Sequence, residues 1–152
     1  MREAWPGPLF VRISAVDGTE GGWDLDDSVV FARQLKARGV DLVDCSSGGV
    51  TPSTATVPTP APGYQIDYAA AVRSQAEVPT MAVGLITHFS QAELAVANGK
   101  ADLVALGRAM LDDPNWPLHA LGSTLEHDGE AWPLPVGYAV KSLHKIKAEY
   151  GL

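Results

Sequence analysis

Apolar residues along this chain follow two rhythms. Short, nearly continuous runs rich in β-branched residues lie at 9–15 (LFVRISA), 40–45 (VDLVDC), 80–86 (TMAVGLI) and 102–106 (DLVAL), and predict four strands. Between them the spacing turns helical. Over 24–38, Val29, Val30, Ala32 and Leu35 have helical spacing, Asp26 or Asp27 suits the first turn, and Gly39 follows as a stop. Residues 66–76 and 91–98 predict two more helices, the second with Ser90 as its N-cap. Gly107-Arg108 opens a fourth, which breaks at Asp113-Pro114, and a further helix runs on to Leu121.

The order is strand then helix, repeated four times with a period of roughly 30 residues, as in βαβ units. Such runs imply a parallel sheet covered by helices. They fit either a doubly wound open sheet or a piece of a barrel. No GxGxxG follows the first strand, so the dinucleotide-binding fingerprint is absent. Residues 51–63 carry four prolines and predict a long loop. After Ser123 the pattern fades. Pro133 and Pro135 predict an extended arm, and 138–150 is weakly helical with Lys141, Lys145 and Lys147. The expected division is therefore 1–122 and an arm at 123–152.

Composition narrows the function classes. With 46% hydrophobic and 19% charged residues the chain has the make-up of a soluble globular domain. It has no apolar stretch of ~18 residues, so no membrane span is expected. The start, Met1-Arg2-Glu3-Ala4-Trp5-Pro6, lacks signal-peptide features, so a cytoplasmic location is expected. The net charge of −7, with its acidic residues spread out, argues against a nucleic-acid surface. A single cysteine, Cys45, excludes an intrachain disulfide and reads as a small core residue. His88, His119, His127 and His144 form no metal-spaced pair, so no metal is expected, and His88 reads as a surface loop residue.

Ligands of parallel α/β folds bind at the carboxyl ends of strands. Gly107-Arg108 stands where a strand turns into a helix, a place for amide N–H groups, close backbone approach and a bidentate cation to meet a phosphate. The Gly84 loop lies at the neighbouring strand end and can add amides. Arg12 sits within an apolar run, so a charge buried there needs a partner. A salt bridge to Asp44 on the next strand and a contact with an electron-rich ligand edge are both open. Ser46 and Ser47 lack a nucleophile-elbow pattern. An aldolase-like or isomerase-like barrel would need a strand-end Lys or a suitable strand-end acid, and only Asp44 is available.

Several segments then resemble one family in the right order: Arg2-Glu3-Ala4-Trp5-Pro6, the LFVRISA run, Glu20-Gly21-Gly22-Trp23, VDLVDCSSGG at 40–49, Ala82-Val83-Gly84-Leu85-Ile86-Thr87, and ADLVALGR at 101–108. They are similar to the old yellow enzymes, especially the xenobiotic-reductase and NADPH dehydrogenase branch, from about Arg2 to Pro117. The resemblance implies a (β/α)₈ TIM barrel, represented by its C-terminal half of four βα units. It implies non-covalent FMN, reduced by NADPH or NADH and passing hydride to an activated alkene. Arg12 would contact the flavin ring. Gly107 and Arg108 would hold the FMN phosphate, with Gly84 and Leu85 completing the cradle.

The resemblance also implies what such a half lacks. The residues beside the reactive face, a His/His or His/Asn pair, a Tyr and a Cys or Thr, belong to the first four strands, and nothing in this chain aligns with them. No catalytic residue is therefore assigned, and the chain by itself is expected to be inactive. Of the terminal QYxRxW-like segment only Tyr138 fits. Expected partners are the alkene substrate and either further copies of the chain or the missing N-terminal half. The alternative is a non-catalytic phosphate- or FMN-binding half-barrel that self-associates.

Overall fold

The computed structural model describes residues 2–48, 61–124 and 131–151. The chain divides into two compact units, Met1–Gly107 and Arg108–Leu152. In the first, a short 3-10 turn at Arg2–Ala4 precedes β1 (Phe10–Ser14), α1 (Leu25–Ala37), β2 (Leu42–Ser46), α2 (Ile66–Ala76), β3 (Thr80–Ala82), α3 (Phe89–Ala97) and β4 (Leu103–Val104). The four strands form one sheet in the order β1-β2-β3-β4, and each neighbouring pair is parallel. This is the strand–helix repeat that the apolar runs predict.

The chemistry of the ends explains most of the boundaries. Asp24 caps α1: its carboxylate accepts from the Asp27 N–H, and Asp27 accepts from the Asp24 N–H, a reciprocal capping box. For α3 the expected cap was Ser90, but His88 takes that position. Its Nδ1 accepts from the Ser90 N–H at 3.3 Å, and Ser90 lies inside the first turn. β3 is shorter than its apolar run because Gly84 and Leu85 adopt φ of 112° and 50°, which no strand accommodates.

Side chains alternate across the sheet, and register partners share a face. One row, Ile13, Cys45 and Ala82, is buried and joins Val29, Ala32, Ala69 and Val72 of the helices in the core. Cys45 is fully buried there, and burial first, then nearby Asp44, pushes its thiol up to about 12, in keeping with an inert core residue. The other row, Arg12, Asp44, Met81 and Leu103, faces away from this core.

Two polar ties fix helices to strand ends. Asp102 accepts from the Thr80 N–H and from Arg73 Nε and Nη2, so it pins α2 to the start of β3. The Arg73 hydrogen bond holds the Asp102 carboxyl below its ordinary range. At the opposite edge, fully buried Ser28 donates to the Ala15 C=O at 2.7 Å and accepts from Trp23 Nε1 at 2.6 Å. Ser28→Ala strands both partners and is expected to lower the unfolding free energy by about 1–3 kcal/mol. Urea titration followed by circular dichroism reads this, and an unchanged midpoint would show that the tie is dispensable.

The second unit contains α4 (Arg108–Asp112), α5 (Trp116–Thr124) and α6 (Leu134–Tyr150). The extended arm expected at Pro133 and Pro135 is instead the start of α6. Pro133 is the N-cap and Pro135 lies in the first turn, where its missing N–H costs nothing. Asp113 accepts from the Asn115 N–H and pairs with His119 Nδ1 at 2.6 Å, so it works at a helix start. Residues 51–60 of the proline-rich loop expected at 51–63 lie outside the described residues.

Candidate functional site

Because all four strands run the same way, their carboxyl ends gather at one edge of the sheet. Ser14, Ser46, Ala82 and Val104 end them, and the residues that follow form the rim. Arg12 lies two residues before the end of β1. Its side chain is 57% exposed, so the burial expected from its apolar neighbours is not met: strand alternation turns it onto the face away from the helix-packed core. The Arg12–Asp44 pair does form, with Nη1 to Oδ2 at 3.3 Å. Arg12 Nε also donates to Ser46 Oγ at 3.4 Å. Beside Arg12 opens a cleft of about 410 Å³, lined by Ile13, Ser14, Asp17, Trp23 and Phe31.

Asp44 is the buried acid of this rim. Burial pushes its carboxyl above the usual range, and the Arg12 cation partly offsets that rise. Its Oδ1 has no hydrogen-bond partner among the described residues.

On the loop after β3, Gly84 is required by its backbone and by its surroundings. Its φ of +112° is one that side chains rarely adopt, and a Cβ there would stand 2.8 Å from Gln65 Oε1. Leu85 beside it is left-handed too, a conformation that costs a non-glycine residue and that tends to persist where surrounding contacts impose it. Those contacts are present. Gly84 C=O accepts from the Gly63 N–H at 2.9 Å, and buried Gln65 donates to Ser47 O and Ser47 Oγ at 3.1 and 2.8 Å. Gln65 therefore joins the two ends of the connection between β2 and α2, and the Gly63–Gly84 hydrogen bond ties that connection to the loop after β3. Sequence reasoning missed it; the one available signal was an amide side chain directly before an apolar helix. Among the described residues neither the Gly84 nor the Leu85 N–H has an acceptor.

Gly107 closes the first unit, following β4, and a Cβ on it would meet nothing within 4 Å. Arg108 opens the second unit as the first residue of α4 and is exposed. At five residues α4 is too short for its dipole to add much, so the anion-binding capacity expected there rests on the guanidinium and free amides. Since β3 and β4 are neighbours, the Gly84-Leu85 and Gly107 loops are adjacent on the rim. Arg12 is three strands away from Gly107, about 14 Å in a flat sheet. His88, expected on the surface, is exposed and committed to capping α3. Among the described residues no group of His, Cys, Asp and Glu could hold a metal ion.

The chain is an α/β protein with a parallel βα repeat, and along the carboxyl rim lie a cation and, among the described residues, amides without acceptors. Comparison with known proteins gives the family. Residues 2–125 match the model of the NADH:flavin oxidoreductase / NADH oxidase family, and the chain belongs to it. It is similar to the NADPH dehydrogenases of Bacillus licheniformis (50% identical over 117 residues, 77% of this chain and 34% of the relative) and Geobacillus thermodenitrificans (51% over 120 residues, 79% and 34%). The Bacillus subtilis NADPH dehydrogenase is 47% identical over 114 residues, 75% of this chain and 33% of that protein. The chain thus spans about a third of the length of these relatives. Among solved structures, histamine dehydrogenase from Rhizobium sp. 4-9 shares the fold, with TM-score 0.60 at 22% identity over 82% of this chain and 18% of that one. The fold is a partial barrel of four βα units.

Proposed function

We propose that this chain is the C-terminal half of an FMN-dependent NAD(P)H oxidoreductase that reduces activated alkenes, with residues 1–122 forming part of its barrel and 123–152 an arm. The observation that carries the proposal is the spacing of donors along one rim. A guanidinium on β1 and unpaired amides after β3 suit a long ligand with an electron-rich ring at one end and an anion at the other. FMN has that form, and the residues present fit it.

In this reading Gly84, Leu85 and Gly107 offer backbone N–H groups to the phosphate, and Arg108 supplies the charged contact. The space beside Gly107 is open, since even a Cβ there would meet nothing within 4 Å. Arg12 presents its guanidinium to the ring edge, where positive charge stabilises the reduced, anionic form. When bound, FMN would supply the hydride-transfer chemistry between the nicotinamide and the alkene. NADPH is the proposed reductant, after the activity in the relatives' names. The cytoplasm is the proposed site of action; no described helix is long and apolar enough to cross a membrane.

Parallel titrations with FMN and riboflavin test the reading, because riboflavin lacks the phosphate. FMN is expected to bind at least ~10-fold more tightly, the worth of one charge-assisted hydrogen bond. Equal affinities would remove the phosphate cradle.

A further inference from the structure

The buried carboxylate under Arg12 is not explained by stability. Asp44 is 9% exposed, and one of its oxygens has no partner among the described residues. Leaving such an atom unpaired is costly. The return as a salt bridge is small, because Arg12 is more than half exposed and pairs of that kind contribute little. The neighbour on the other side of Asp44 in the register is Met81, which has no N–H or O–H donor in its side chain. What Asp44 does achieve is geometric. It and Ser46 lie two residues apart on the same face of β2, and between them they meet two separate nitrogens of one guanidinium, Asp44 as an ion pair at 3.3 Å and Ser46 as a hydrogen-bond acceptor at 3.4 Å. Ser46 Oγ is itself oriented, donating to the Ile13 C=O at 3.0 Å and turning a lone pair toward Arg12 Nε. A long arginine side chain in solvent otherwise samples many rotamers. With Nε and Nη1 held, Nη2 has no acceptor among the described residues and is a donor fixed over the sheet face away from the helix-packed core.

We propose that Asp44 is the positioning residue for Arg12: with Ser46 it fixes where the guanidinium stands on the ligand-facing side of the sheet, and its own negative charge sets the net charge offered there. That the ligand is a flavin rests on the function proposed above; the clamp on Arg12 does not. The two parts make different demands on side-chain chemistry. Asn at 44 keeps an acceptor for Arg12 but removes the negative charge. Ala removes both.

The test has a ligand-free arm and a flavin arm. In the first, ¹⁵N–¹H spectra of the arginine guanidinium groups are recorded for the wild-type chain, Asp44→Asn, Asp44→Ala and Ser46→Ala. Arg12→Lys identifies the signal, and far-UV circular dichroism checks the fold. The expected result is a restrained Arg12 guanidinium in the wild type and Asp44→Asn, and free rotation in Asp44→Ala. In the second arm the affinities for oxidised and reduced FMN are compared. Asp44→Asn is expected to raise the reduced-to-oxidised affinity ratio, and so the midpoint potential, since an uncompensated cation favours the reduced anion. Asp44→Ala removes the charge as well but also frees the guanidinium, so it is expected to weaken both affinities by about threefold and to raise the ratio less than Asp44→Asn does.

An Arg12 signal that Asp44→Ala leaves unchanged would overturn the proposal, as would a potential that rises as far in Asp44→Ala as in Asp44→Asn. A wild-type chain that takes up no FMN would instead sink the proposed function, and the ligand-free arm would still decide the matter of Asp44. Should Asp44→Ala fail to fold, Ser46→Ala and Asp44→Asn carry the test: loosening of Arg12 by the first and retention by the second is the expected pair, and the reverse pair overturns it.

Discussion

Replacing Arg108 with alanine is expected to weaken FMN binding by about 1.5–3 kcal/mol, the value of a hydrogen bond to a charged group. That is roughly a 10- to 150-fold rise in Kd. The size follows from what else is available to the phosphate. α4 has only five residues, so its dipole adds little, and the amides of Gly84, Leu85 and Gly107 are neutral donors. The guanidinium is then the main formal charge on the anion, and a bidentate one. Because Arg108 is exposed, its loss leaves no unpaired buried group, and stability should stay within ~0.5 kcal/mol of wild type. Riboflavin affinity should not change. An Arg108→Ala protein that binds FMN as before would remove Arg108 from the phosphate site.

The second large effect concerns assembly. β1 and β4 are the edges of the sheet, and among the described residues neither has a strand paired on its outer side. Apolar side chains stand open on the face away from the helix-packed core and at the edge, with Phe10 50% and Leu103 45% exposed. Trp23 and Phe31, lining the cleft beside β1, are also substantially exposed. Apolar surface of this kind on a soluble protein usually marks an interaction site. The purified 152-residue chain is therefore expected not to be a monodisperse monomer. It should self-associate through these edges, or combine with a polypeptide that supplies the adjoining strands. Light scattering at micromolar concentration checks this. A stable, cooperatively unfolding monomer of 16.0 kDa would show that the edges are satisfied within the chain. For the same reason, and because no residue for the reactive face of the flavin is assigned to it, the chain alone is expected to reduce cyclohexenone no faster than free flavin.

Much of this was legible in the sequence, for identifiable reasons. The strand–helix order was readable because β-branched runs and helical spacing differ in period, and α1 came out within a residue at each end because Asp24 and Gly39 mark its limits chemically. The Arg12–Asp44 pair was one of two readings that the charges in neighbouring apolar runs left open, and it forms. Three features were not legible. That Arg12 is exposed depends on which face the helices cover, a tertiary fact. The ends of β3 depend on positive φ at Leu85, which no local propensity predicts. The bridge from Gln65 to Ser47 joins residues 18 apart across a proline-rich stretch. The start of α6 at Pro133–Pro135 was misjudged because proline stops a helix in its interior but fits its first turn.

The central claim is that this chain is the flavin-holding C-terminal part of an NADPH dehydrogenase-type barrel. Replacing the matching segment of the Bacillus subtilis relative with residues 2–125 of this chain tests it most directly. The measurement is the flavin content of the purified chimera, read from its visible absorbance against protein concentration. The account predicts a soluble protein with close to one FMN per chain, bleached by NADPH. A soluble, folded chimera that carries no flavin would contradict it.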